Sequence, residues 1–196
     1  RVHTDAVQAA GKLALSMGAL GVDFLTLSAH KFGGPQGVGA LVLRPGMDPA
    51  PLLRGGGQER RRRAGTENTA GNVGLGLAAE MALDAPIQNR AFQQQIEAAL
   101  APFAPIVSGQ ERRLSTITCA VWPDKTAERM LMKFDLKGVA LSSGSACSSG
   151  KVGASHVLTA MGFAPEQALS ALRFSTGWST TQAEVDAMLA VARELA

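Results

Sequence analysis

Short apolar runs bounded by turn residues alternate along the chain with stretches of helical spacing. Residues 22–28 and 38–43 are runs of the first kind, and their length predicts strands covered on both faces. Downstream, Phe92, Ile96, Ala99 and Leu100 share one helical stripe, with Gln93, Gln94, Gln95 and Glu97 expected on the opposite side. The last segment is the plainest helix. Thr181 and Glu184 have capping-box spacing, and Val185, Met188, Leu189, Ala192 and Leu195 follow along one stripe. Strand and helix patterns taken in turn predict an α/β fold. A break near Ala85-Pro86 separates a glycine-rich front half, 1–86, from a helix–strand–helix half, 87–196.

Composition narrows the classes. The 196 residues are 46% hydrophobic and 18% charged, which excludes an intrinsically disordered chain. No apolar run approaches the ~18 residues of a membrane span, so no membrane role is expected. A net charge of +3 is too small to imply nucleic acid. Glycine is in excess, 22 residues of 196 against an average near ~7%, which suggests loops where backbone approaches a ligand or other backbone. Two cysteines cannot build a disulfide framework, which favours a reducing cytoplasm. Cys119 lies in the β-branched run 116–121 and reads as a buried strand residue, whereas Cys147 lies in the polar serine-rich loop 142–150. The chain opens at Arg1 on a strand-like segment without an initiator methionine, and is expected to be the back part of something longer.

Three motifs offer chemistry. In Ser28-Ala29-His30-Lys31-Phe32-Gly33-Gly34, a lysine follows a strand and opens a glycine loop. The C-terminal end of a strand is where α/β sheets place ligands. A partly desolvated lysine there can attack a carbonyl as a free amine; the alternative is a surface lysine in a glycine turn. In His3-Thr4-Asp5-Ala6-Val7-Gln8, the spacing puts Asp5 and Gln8 on one side of an opening helical turn. There the competing reading is an N-cap aspartate. Arg60, Arg61, Arg62 and Arg63 stand between glycine-rich stretches and suit phosphate, or form a solvated charge run. No aromatic residues interleave them, which argues against nucleic acid.

These motifs, with Arg63-Ala64-Gly65-Thr66-Glu67-Asn68, Ser142-Ser143-Gly144-Ser145-Ala146-Cys147, Ser155-His156-Val157-Leu158 and Ala171-Leu172-Arg173-Phe174-Ser175, occur in one succession. That succession resembles the pyridoxal-phosphate-dependent cysteine desulfurases of the nitrogen-fixation and iron–sulfur-assembly type, within the class V aminotransferases. The resemblance covers essentially the whole chain. It implies a fold-type I transferase: 1–86 as the C-terminal part of the large cofactor domain, 87–196 as an α+β small domain bearing the cysteine loop. It implies pyridoxal 5'-phosphate as cofactor, L-cysteine as substrate, a sulfur acceptor or scaffold protein as partner, and a homodimer.

Residue by residue, Lys31 matches the lysine that holds the cofactor as a Schiff base and shuttles protons. Asp5 matches the carboxylate paired with the pyridine nitrogen, and Gln8 the contact to the ring hydroxyl. Ser28 and His30 match phosphate contacts, and Thr66 a phosphate contact given across the dimer interface. Arg173 matches the clamp on the substrate carboxylate, where a bidentate fork suits better than lysine. Cys147 matches the nucleophile that takes the sulfur and leaves alanine. A class V aminotransferase or a selenocysteine lyase would keep Lys31, Asp5 and Arg173 but need no thiol at position 147. Relatives are roughly twice as long, as fits two domains. Their ring-stacking histidine and part of their phosphate cradle would lie upstream of Arg1. The chain alone is therefore expected to bind the cofactor weakly, to lack desulfurase activity, and to aggregate unless the upstream half is supplied.

Overall fold

The apolar runs at 22–28 and 38–43 form strands in the computed structural model, which describes residues 1–84, 89–107, 113–144 and 153–196. The chain divides into two compact units, Arg1–Ile87 and Gln88–Ala196. The break read at Ala85-Pro86 lies outside the described residues.

In the first unit, three strands run in the order β1 (His3–Asp5), β2 (Phe24–Ser28), β3 (Gly39–Leu43). β1 is parallel to β2, with Asp5 opposite Thr26, and the crossover between them carries the short helix α1 (Met17–Leu20). A 3₁₀ turn, Ala29–Lys31, leaves the end of β2 directly. β3 returns antiparallel, with Ser28 opposite Gly39. The expectation that both runs are covered on both faces fails for β3. It pairs on one side only among the described residues, and Leu41 and Val42 are exposed. An antiparallel return needs no crossover helix, so the connection from β2 to β3 lays none over it.

Buried Asp23, just before β2, ties both neighbouring strands to it. Its Oδ2 accepts the Val2 N–H at 2.8 Å, and its Oδ1 lies 2.6 Å from Arg44 Nη2. After a short turn α2 (Gln58–Arg61), left-handed at Glu59 and Arg60, the helix α3 (Thr69–Asp84) packs on the loop that follows the 3₁₀ turn. Asn68 Oδ1 caps its start by accepting the Gly71 N–H at 3.1 Å. Gly71 and Gly74 let it approach: a Cβ at Gly71 would collide with Val38, and one at Gly74 would come within 2.6 Å of Pro35.

In the second unit, β4 (Ile117–Val121), β5 (Ser142–Ser143) and β6 (Ala171–Ser175) form an antiparallel sheet with β6 central. Its helices are α4 (Arg90–Leu100), α5 (Ala127–Leu136), α6 (His156–Ala160), α7 (Pro165–Ala168) and α8 (Gln182–Glu194). The core is aromatic at its centre. Trp122 meets Phe134 edge-on at 5.9 Å between ring centroids, and Phe134 meets Phe174 at 6.0 Å. The stripes on α4 and α8 pack into this core through Ile96, Leu100, Val185, Met188, Leu189 and Ala192. Thr181 and Glu184 cap α8 reciprocally: the Thr181 N–H donates to Glu184 Oε2 at 2.7 Å and the Glu184 N–H to Thr181 Oγ1 at 3.3 Å.

One position on α4 departs from its expected face. Gln93 is buried, and its Nε2 donates to the Leu114 carbonyl at 3.0 Å and the Ile117 carbonyl at 3.1 Å. Two carbonyls leading into β4 need a donor there, so a long amide is placed inward where spacing alone puts it outside.

Replacing Asp23 by alanine strands the Val2 N–H and the Arg44 guanidinium together. Asp23→Ala is expected to destabilise the protein by about 1–3 kcal/mol, read as a lower denaturant midpoint at unchanged slope. Arg44→Met should cost less, because the Arg44 side chain is more than half exposed.

Candidate functional site

The parallel pairing of β1 and β2 brings their C-terminal ends to one edge of the sheet. Asp5 is the last residue of β1, and its Oδ1 accepts the Val7 N–H at 2.9 Å. That contact closes a turn and occupies one carboxylate oxygen, but no helix begins there for Asp5 to cap, the next being Met17–Leu20. The side chain remains exposed. Ser28 ends β2, and its Oγ shares a hydrogen bond with His30 Nδ1 at 3.0 Å. Lys31 closes the 3₁₀ turn, half-buried. Gln8 lies in the turn after β1, exposed. One end of the sheet thus carries a carboxylate, an amide, a hydroxyl, an imidazole and an amine.

A sixth polar group belongs with them, and motif reading missed it. Lys12 Nζ donates to the Gln8 carbonyl at 3.1 Å, to Gln8 Oε1 at 3.4 Å and to the Lys31 carbonyl at 3.3 Å. Burial and the nearby Lys31 charge both hold its pKa below the usual lysine value, burial counting for more. The spacing of four from Gln8 was the available signal. Gly11 beside it has φ +72°, and a Cβ there would collide with Phe32. The turn after β1 therefore sits directly against the turn that presents Lys31.

Thr66 is exposed in the loop before α3, and its carbonyl accepts from Arg63 Nη1 at 3.4 Å. No described hydrogen bond joins it to the Lys31 group. Two of the four arginines are used locally: Arg62 reaches Asp48 at 3.0 Å, and Arg63 braces Gly65 and Thr66. Arg60 and Arg61 are exposed.

In the second unit, Arg173 stands in the middle strand β6, opposite Cys119 on one side and Ser142 on the other. Its Nε is buried without a hydrogen-bond partner among the described residues. Such an atom costs free energy unless a group outside the described residues accepts from it. Burial pushes the Cys119 thiol up, against the opposing pull of the Arg173 charge. Cys147 lies outside the described residues.

The donor set at the strand ends fits pyridoxal phosphate. An acidic side chain suits a protonated pyridine nitrogen, hydroxyl and imidazole donors suit a phosphate, and a primary amine suits an aldehyde. Comparison with known proteins agrees. Residues 1–188 match the aminotransferase class-V family.

The chain belongs to the class V aminotransferases.

Members of this family depend on pyridoxal phosphate. A cysteine desulfurase of Sinorhizobium fredii is 44% identical over 196 residues, covering 96% of this chain and 51% of that protein. The solved NifS-like protein from Rickettsia africae superposes with a TM-score of 0.88 at 35% identity, over 98% of this chain and 52% of its own. A structure described as SspA in complex with cysteine gives a TM-score of 0.69 at 33% identity, over 89% of this chain and 50% of its own. The class V chain thus has the fold-type I architecture expected of it, and spans about half the length of the relatives it matches.

The raised thiol pKa predicts the chemistry of Cys119. Near pH 8.5, the ordinary thiol pKa, it should hold less thiolate than a free cysteine, and should be alkylated by iodoacetamide more slowly. Its rate should climb only at higher pH. Peptide mapping of the labelled protein checks this, and labelling as fast as free cysteine would contradict it.

Proposed function

We propose that this chain carries the cofactor-holding and sulfur-transfer residues of a cysteine desulfurase. The observation that carries the reading is the arrangement of Asp5, Ser28, His30 and Lys31 at the shared end of two parallel strands. It is supported by relatives named cysteine desulfurases and by a structural neighbour described in complex with cysteine.

Pyridoxal phosphate, when bound, supplies a ring that accepts electrons from the substrate carbon. The chain's own residues do the rest. The Asp5 carboxylate keeps a proton on the pyridine nitrogen, and the Gln8 amide donates to the ring hydroxyl oxygen. Ser28 and His30 donate to the phosphate, joined by Thr66 from the neighbouring subunit of a homodimer. Lys31 would hold the cofactor through its amine and, when freed from it, would move a proton at the substrate α-carbon. Arg173 grips the L-cysteine carboxylate with its fork, a use that fits its unpartnered Nε.

Cys147, as thiolate, attacks the substrate sulfur. A sulfur–sulfur bond forms and the substrate carbon–sulfur bond breaks. The electron pair left on carbon takes a proton to give L-alanine, and the enzyme holds a persulfide. That sulfur passes to an acceptor or scaffold protein for iron–sulfur or other sulfur delivery, in the cytoplasm. The raised pKa of Cys119 suits a structural role and leaves the transfer to Cys147.

In the full-length protein, borohydride reduction in the presence of pyridoxal phosphate should leave the label on Lys31, and Lys31→Ala should abolish it. Cys147→Ser should stop alanine formation from L-cysteine while the Lys31 label persists. Label on another lysine would overturn the first assignment. Loss of alanine in Cys119→Ser but not in Cys147→Ser would reverse the second. Full alanine yield in both Cys147→Ser and Cys119→Ser would favour a class V lyase that releases the substrate sulfur without passing it to an enzyme thiol.

A further inference from the structure

Beyond Asp5 and the Ala6 N–H that donates to the Thr26 carbonyl at 3.0 Å, β1 and β2 no longer pair, and their chains turn away separately. One forms the turn that bears Gln8. The other forms the 3₁₀ turn that bears Lys31. A reactive amine on a short turn gains little from being near its target unless that turn is held, since displacement by fractions of an ångström costs rate. Two features hold it. The first is the contact of Gly11 with Phe32, which only a residue without a Cβ permits. The second is the Lys12 ammonium, which reaches acceptors on both turns.

We propose that Lys12 is a positioning residue for the cofactor-attachment lysine, tying the Gln8 carbonyl and side-chain oxygen to the Lys31 carbonyl so that the two turns move as one. Lys12 attaches to nothing itself. Its three N–H donors are matched by three oxygens, and the reach from one turn to the other needs a side chain of its length. The contact to Gln8 Oε1 engages the amide oxygen and not its N–H₂. The like charge of Lys31 opposes a second ammonium here, so the arrangement persists against a cost that the carbonyl contacts offset.

The inference rests on Lys31 being the attachment point, and its test separates the two. Full-length apoprotein is prepared as wild type, Lys12→Met, Lys12→Arg and Asp23→Ala. Two quantities are read: the rate at which pyridoxal phosphate becomes borohydride-trappable on Lys31, and hydrogen exchange of the Phe32 and Gly34 amides, which donate to the Ala29 carbonyl. Exchange needs no cofactor. Lys12→Met should slow trapping about tenfold and speed exchange by a similar factor, as for loss of one charge-assisted hydrogen bond. Lys12→Arg should restore most of both, since its fork can span the same carbonyls. Asp23→Ala, destabilised away from this contact, should leave the trapping rate unchanged.

Wild-type trapping and exchange rates in Lys12→Met overturn the proposal while Lys31 keeps its role. Equal slowing in Asp23→Ala overturns it in favour of general stability. If Lys12→Met does not fold, Lys12→Gln, too short to span both turns, should show the same slowing. Failure of both to fold assigns Lys12 to structure and overturns the proposal. A wild type labelled elsewhere than Lys31 overturns the cofactor reading and this one with it, and faster exchange in Lys12→Met with a wild-type trapping rate overturns the positioning role while Lys31 keeps its own.

Discussion

Everything in the first unit that bears on chemistry depends on the parallel pairing of β1 with β2. Parallel strands end on the same edge, so Asp5 and the Ser28–Lys31 segment, far apart in sequence, emerge side by side. The pairing is short, three residues on β1, and is reinforced where it begins by a buried carboxylate. Asp23 accepts from the backbone of the β1 side and from the Arg44 side chain just past β3. One acidic group therefore contacts both flanking strands at the end of the sheet away from the candidate site. Polar groups can then crowd the other end without having to hold the sheet together.

The second unit solves a different problem. Its sheet is antiparallel, and its core is built around Trp122, Phe134 and Phe174, whose rings meet at angles that fill space without stacking face to face. Arg173 stands on the strand at the middle of that sheet, between Leu172 and Phe174, both fully buried or nearly so. A strand's alternation turns those two neighbours into the core and the arginine to the other face. The arginine is thereby carried by a strand and not by a loop, and its buried Nε has no hydrogen-bond partner among the described residues.

Much of this was legible along the chain because the signals are local. The capping box at Thr181 and Glu184, the stripe that follows it, and the apolar runs of β2 and β3 all depend on residues within a few positions of each other. Gln93 was misplaced because its partners, the Leu114 and Ile117 carbonyls, lie more than twenty residues away. Helical spacing ranks an amide as polar and turns it outward. Only the orphaned carbonyls turn it in. The covered faces expected of β3 failed for a similar reason, since an apolar run does not say whether the return is parallel or antiparallel.

The sequence by itself determined the identity and order of the chemical groups: a carboxylate and amide three apart, a hydroxyl, imidazole and amine within four positions, an arginine between a leucine and a phenylalanine, and a thiol in a serine-rich loop. Those patterns suffice for kinship because a family's motifs are strings of residues. Only the tertiary structure decided which groups share an edge, that Cys119, expected to be buried, is a half-buried thiol opposite Arg173, and that Lys12 joins the turn of Gln8 to the turn of Lys31. Hydrogen bonds and desolvation act over a few ångströms of space, and the chain distance between two groups does not reveal when folding has closed that gap.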